Sequence, residues 1–171
     1  MGSDMCTKHL VKLTELLAKF EREPKEIKGI RITNWFRRGE DIFEELFNLG
    51  HSEAWKYAGV RTNSKTTEVI AKIKNNKGWL ESFITLYPNS RINLDLVGSA
   101  DDICKVRSGI DVLMKGFCNI NSDFDKVLKD LEELGEVDEF DQRLKLWIET
   151  GHRPDFKEKP SGLSKDHWWW F

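Results

Sequence analysis

Residues 121–151 read NSDFDKVLKDLEELGEVDEFDQRLKLWIETG, and this stretch decides the fold class. Phe124, Val127, Leu128, Leu131 and Leu134 recur at intervals of one, three or four residues, which is one stripe of a 3.6-residue period. Asn121-Ser122 supplies an N-cap before the stripe and Gly135 a stop after it. Val137, Phe140, Leu144, Trp147 and Ile148 repeat the pattern until Gly151. Amphipathic helices joined by short turns are the units of an all-α bundle, because each must bury its apolar stripe against another.

The same period continues toward the N-terminus. Ser99 and Asp102 form a capping box with Asp in place of the usual Glu. They open a helix carried by Ile103, Val106, Ile110, Leu113 and Phe117 and ending near Gly116. Val69, Ile70 and Ile73 form a stripe capped by Thr62-Asn63-Ser64. It is interrupted at residues 75–78 and resumed by Trp79, Leu80, Phe83, Ile84 and Tyr87 as far as Pro88. Ser52 caps a short helix ended by Gly59. Trp35, Phe36, Ile42, Phe43, Leu46 and Phe47 make a dense aromatic face with Thr33 or Asn34 as N-cap, residues 48–50 as C-cap region, and a kink or break expected at Gly39. Leu10, Leu13, Leu17 and Phe20 define a first helix over about residues 5–22, stopped by Pro24. Residues 25–32 read either as a short strand or as a lead-in to the following helix. Residues 91–97 alternate apolar and polar side chains, but only residues 29–32 offer a strand to pair with, so an extended loop is expected there. Gly2-Ser3-Asp4 reads as a remnant before a start at Met5. The expectation is a compact all-α bundle of about six to seven amphipathic helices over residues 5–151, followed by an extended aromatic tail or arm over 152–171.

Composition restricts the function classes. Lys and Arg total 27 against 29 Asp and Glu, a net charge of −2, so the chain as a whole is no general polyanion binder. No apolar run approaches the roughly 20 residues that span a bilayer, and no secretory leader is visible. The three cysteines are widely spaced, unlike a disulfide framework, which fits a cytoplasmic or other reducing intracellular compartment. The charges are nevertheless segregated. Residues 24–38 carry five basic and one acidic side chain, and residues 56–77 six basic and one acidic. Residues 121–149 carry ten acidic and four basic groups. A basic face built from Arg37, Arg38, Arg61, Lys65, Lys72, Lys74 and Lys77 would suit nucleic acid.

Catalytic signatures are missing from the sequence. It has no phosphate loop, dinucleotide fingerprint, H-E-x-x-H or G-x-S-x-G motif. Its four histidines are scattered, and carboxylate neighbours such as Glu44-Glu45 point about 100° apart on a helix. Cys6 and His9 have half the spacing of a zinc site with no second half nearby. The reading is therefore non-enzymatic, with no catalytic residue, metal or cofactor assigned.

Two short stretches resemble known families. Residues 66–73, Lys77-Gly78-Trp79 and Phe83 are similar to the fourth-to-fifth helix junction of the caspase-recruitment domains of RNA-sensing helicases. That resemblance implies a six-helix death-fold signalling domain. Leu131, Leu134, Gly135 and Glu136 resemble a BH3 helix, although Asp138 stands where an apolar anchor belongs.

The least ordinary feature is the end of the chain, Trp168-Trp169-Trp170-Phe171. Four large aromatics in a row cannot all face one side of a regular element, and each can bury about 150–250 Å². They must dock, either on their own domain or on a partner or second protomer. The function expected is a helical protein-interaction protein, a regulator, adaptor or assembly subunit, that engages a protein partner or itself through Trp168, Trp169, Trp170 and Phe171. Nucleic-acid binding by the basic face is the alternative, with death-fold signalling behind it.

Overall fold

A computed structural model of the chain describes residues 2–21, 30–93, 100–151, 160–163 and 165–171. Among these the regular structure is entirely helical: α1 (Gly2–Glu21), α2 (Ile30–Ser52), α3 (Ala58–Thr62), α4 (Thr66–Asn75), α5 (Lys77–Asn93), α6 (Ala100–Gly116), α7 (Ser122–Leu134) and α8 (Val137–Glu149), with a final 3-10 turn, Trp168–Trp170. The all-α reading holds. The expected six to seven helices become eight because the interruption at residues 75–78 is a full break. There the buried Asn76 closes α4, its amide donating to the Lys72 carbonyl at 2.8 Å and more weakly to the Leu17 carbonyl at the end of α1 at 3.5 Å.

Several local expectations are revised. α2 begins at Ile30, so neither Thr33 nor Asn34 is its N-cap, and it runs without a break through Gly39. Gly39 is there because the ring of Phe83 lies on it, where a Cβ would overlap the ring carbons. Ser52 ends α2, with its hydroxyl donating to the Leu49 carbonyl at 2.9 Å, instead of opening the next helix. The short helix is shifted to Ala58–Thr62 and is preceded by a turn in which Ala54, Trp55 and Tyr57 all have positive φ. α5 continues through Pro88 to Asn93, so residues 91–93 are helical, not extended. Proline removes one helical donor at a cost near 3 kcal/mol. Burial of Tyr87 and Pro88 and the packing of α5 on α7 and α8 outweigh that cost. α1 already includes Gly2–Asp4. The capping box at Ser99, the stop at Pro24, residues 25–29 and residues 94–97 lie outside the described residues.

The C-terminal helix pair matches its sequence pattern in the main, but Leu134, expected on the buried stripe, is exposed, and Val127, Trp147 and Ile148 are only partly covered. Asn121 Oδ1 accepts the Phe124 N–H at 2.7 Å, and Phe124, Leu128, Leu131, Val137, Phe140 and Leu144 are buried. α5 covers this pair on one side. On the other side of the molecule α1 lies between α2 and α4, antiparallel to the first, since His9 meets Glu45 and Lys19 meets Arg38, and parallel to the second, since Thr7 meets Asn63 and Leu17 meets Asn76.

The two halves meet where α2 crosses α6. The crossing is close because Gly109 has no side chain. A Cβ there would collide with the main-chain carbonyl of Phe43, which cannot rotate aside as a side chain would. Gly109→Ala should therefore destabilise by about 3 kcal/mol or more, the upper end of overpacking effects. Gly78→Ala, where nothing lies within 4 Å of the new methyl, should be neutral or stabilise by up to about 1 kcal/mol. Urea unfolding of the two variants checks the contrast, and equal stabilities would show that the crossing is not held by Gly109.

Candidate functional site

The singled-out aromatics at the end of the chain form a defined structure. The Trp170 N–H donates to the His167 carbonyl at 3.1 Å and the Phe171 N–H to the Trp168 carbonyl at 3.0 Å. In such a 3-10 turn, residues three apart eclipse one another. Trp168 and Phe171 therefore share one side, and Trp169 and Trp170 are left for the other. Exposure follows this geometry, with Trp168 at 37% and Phe171 at 54% but Trp169 at 2% and Trp170 at 0%.

The inward pair is fixed by α6. Ser108, fully buried, accepts the indole N–H of Trp169 at 2.9 Å and that of Trp170 at 3.0 Å. The Trp169 carbonyl takes the thiol of Cys104, whose pKa burial pushes far up, so it stays protonated and able to donate. Arg107 lies 4.5 Å from the Trp169 ring centroid, a cation–π contact, and its guanidinium holds Asp141 of α8 through two nitrogens. Trp170 stacks on Phe47 of α2 at 6.0 Å.

His167 completes the clasp. Its ring stacks on Trp169 and meets Trp55 edge-on, both at 4.9 Å, and its Nε2 lies 2.8 Å from Asp111 Oδ2. Burial alone would raise the pKa of Asp111. The hydrogen bond from His167 and the charge of Lys115, 3.1 Å away, reverse that and hold the carboxyl below its ordinary value. No Ser–His–Asp relay is assembled here: the Ser108 hydroxyl is occupied by two indoles, and His167 Nδ1 is buried with no hydrogen-bond partner among the described residues.

Of the two docking places expected for the tail, Trp169 and Trp170 take their own domain, where they belong to the same core cluster as the helix stripes. Trp168–Trp170 coil into a 3-10 turn capped by Phe171, while residues 152–159 and 164 of the linker expected to be extended lie outside the described residues. Sequence reasoning missed the receiving residues, Ser108, Cys104, Arg107 and Asp111. The one signal for them was the pair of small residues Ser108-Gly109 in an otherwise bulky helix.

The basic candidates divide. Arg38 donates to the Lys19 carbonyl at 3.3 Å and Asn76 reaches Leu17, so α2 and the end of α4 both converge on the last turn of α1. Arg37, Arg38, Lys72 and Lys74 are thus toward one end of the bundle. Lys77, near them, is bound at 2.5 Å to Asp130 and at 3.5 Å to Glu81. Arg61 and Lys65 lie toward the opposite end, where Arg61 approaches the Lys115 carbonyl and Lys65 pairs with Glu68 at 3.2 Å. In the stretch that resembles a caspase-recruitment domain, Trp79 packs on Phe20 and Trp35. Cys6 and His9 do not converge on a common ligand, since His9 bonds Glu45 at 2.6 Å while burial, with Glu53 nearby, raises the buried Cys6 thiol to about 12. No helix among the described residues is long and apolar enough to cross a membrane.

No protein-family model, curated protein or solved structure matches the chain.

Ser108→Ala should leave two indole N–H groups buried and unpaired. At about 1–3 kcal/mol for each such donor, the loss should approach that of a core truncation, and chemical denaturation measures it. A loss below about 0.5 kcal/mol, the ordinary range of surface changes, would mean that the indoles find other acceptors. The pH dependence has a definite sign. Asp111 has a folded pKa below its unfolded value near 3.8, so its contribution is complete above that value and is lost as pH falls through the folded one. Acid titration of stability should therefore show a steeper loss below pH 3.8 in the wild type than in Asp111→Asn.

Proposed function

We propose that this is a non-enzymatic helical interaction protein whose working surface is the outward pair Trp168 and Phe171. One observation carries this reading: two large aromatics stand half-exposed on one side of a turn whose other two aromatics are anchored in the core. Anchoring removes much of the ordering entropy that a flexible terminus loses on binding. Tryptophan is also the residue type most enriched at energetic hot spots of interfaces. The partner is a protein, or a second copy of the chain, with an apolar depression able to take both rings.

The test uses the full chain tagged at its N-terminus, with Trp168→Ser and Phe171→Ser combined. Both positions are exposed, so the melting transition should be unchanged while self-association, measured by sedimentation, or a co-purifying protein is lost. A variant with the wild-type sedimentation profile and the same co-purifying proteins would refute the docking role.

A second reading, nucleic-acid binding, is favoured by the convergence of Arg37, Arg38, Lys72 and Lys74 at one end of the bundle. Binding of that kind should weaken steeply with salt, and Lys72→Glu with Lys74→Glu should weaken it for every sequence. Low-salt gel shifts that show no complex at micromolar protein would eliminate it.

A further inference from the structure

A cavity of about 510 Å³ opens beside the clasp, within the roughly 300–1,000 Å³ range of small-molecule sites. One wall is a face of α6, where Arg107, Asp111, Met114 and Lys115 follow one another at three- or four-residue steps or directly along one helical stripe. The facing wall is the positive-φ turn and the last turn of α3, which contribute Trp55, Lys56, Tyr57 and Arg61. The lining thus combines two aromatic rings and a thioether with charged side chains.

The charges are unevenly committed. Lys115 is held by Asp111, and Arg107 by Asp141. Lys56 and Arg61 are exposed, and among the described residues neither has a carboxylate partner. Among the described residues the Arg61 guanidinium makes only a long bond of 3.5 Å, to a main-chain carbonyl. Glu132, also at the cavity, is a single exposed carboxylate against these two cations. Two uncommitted cations among the residues that line one cavity match a dianion. The planar fork of an arginine fits phosphate oxygens especially well.

We infer that this cavity binds a small phosphorylated molecule with a flat, largely apolar body, its phosphate at Lys56 and Arg61 and its ring between Trp55 and Met114. The site adjoins the clasp through shared residues: Trp55 meets His167, Asp111 bonds His167, and Arg107 covers Trp169. Occupancy should consequently register in the tail as well as in the cavity.

The probe is 1-naphthyl phosphate, titrated into the full chain and followed by the indole N–H resonances, with that of Trp55 assigned through Trp55→Phe. A saturable shift at Trp55, with a smaller one at Trp169, is expected. Lys56→Glu combined with Arg61→Glu should weaken binding at least tenfold without moving the melting transition, whereas Lys145→Glu on the exposed face of α8 should not. Inorganic phosphate alone and 1-naphthol alone should each bind at least tenfold more weakly. Absence of a saturable shift at millimolar probe, equal affinity for the double variant, or naphthol binding as well as its phosphate ester would each overturn the proposal.

Discussion

The structure depends on how closely α2 can approach α6, and two adjacent small residues set that distance. Gly109 lets the α2 backbone touch α6 at Phe43, and Ser108, one residue earlier and turned about 100° around the helix, faces the returning end of the chain. A larger residue at either position would remove one neighbour. With a side chain at 109 the α2 crossing would open, and Phe43 would leave its stack on Phe83 at 5.3 Å. With an apolar residue at 108 the two indoles would lose their shared acceptor. One short stretch of α6 therefore decides both how the helices meet and where the tail closes.

Around this centre several buried ionisable groups are partnered across different elements. Arg107 on α6 holds Asp141 on α8, and Asp111, one turn later, holds His167 of the tail. Glu45 on α2 is almost fully buried and receives both His9 at 2.6 Å and Lys12 at 2.8 Å from α1. Losing one member of such a pair leaves the other charge desolvated, which costs far more than an exposed pair contributes. Lys126–Asp123 on α7, at 4.0 Å and with both side chains largely exposed, is of the second kind and adds little. The pairs that matter are those that tie the tail and α8 to α6 and α1 to α2.

The sequence made the helix stripes legible because a 3.6-residue period survives any tertiary arrangement. Leu10, Leu13, Leu17 and Phe20 are buried as their spacing requires, and so are Phe124, Leu128, Leu131, Val137, Phe140 and Leu144 of the C-terminal pair, whereas Leu134, on the same period, is exposed. Boundaries were less legible, since they depend on partners far away in the chain. Pro88 and Gly39 each signal a break locally, yet each lies inside a helix: Pro88 is buried where α5 packs on α7 and α8, and Gly39 accepts the ring of Phe83. The aromatic tail was conspicuous in the sequence, but its receptor was not. Ser108, Cys104 and Arg107 are unremarkable residue types, and only the fold brings them to a segment about sixty positions away.

The division of the tail follows from the kind of turn it adopts. In an extended strand, alternate residues would face alike, so Trp168 would share a face with Trp170, and Trp169 with Phe171. Each face would then need its own receptor. The 3-10 turn instead groups Trp169 with Trp170 and Trp168 with Phe171. Its tightness lets one hydroxyl, Ser108, receive two successive indoles, which residues pointing to opposite faces of a strand could not offer it. The same turn places the remaining two aromatics together at the surface, half-covered and fixed in orientation by their buried neighbours. Anchoring and exposure are thus two results of one backbone geometry, and a change that unwound the turn would remove the core plug and the outward surface together.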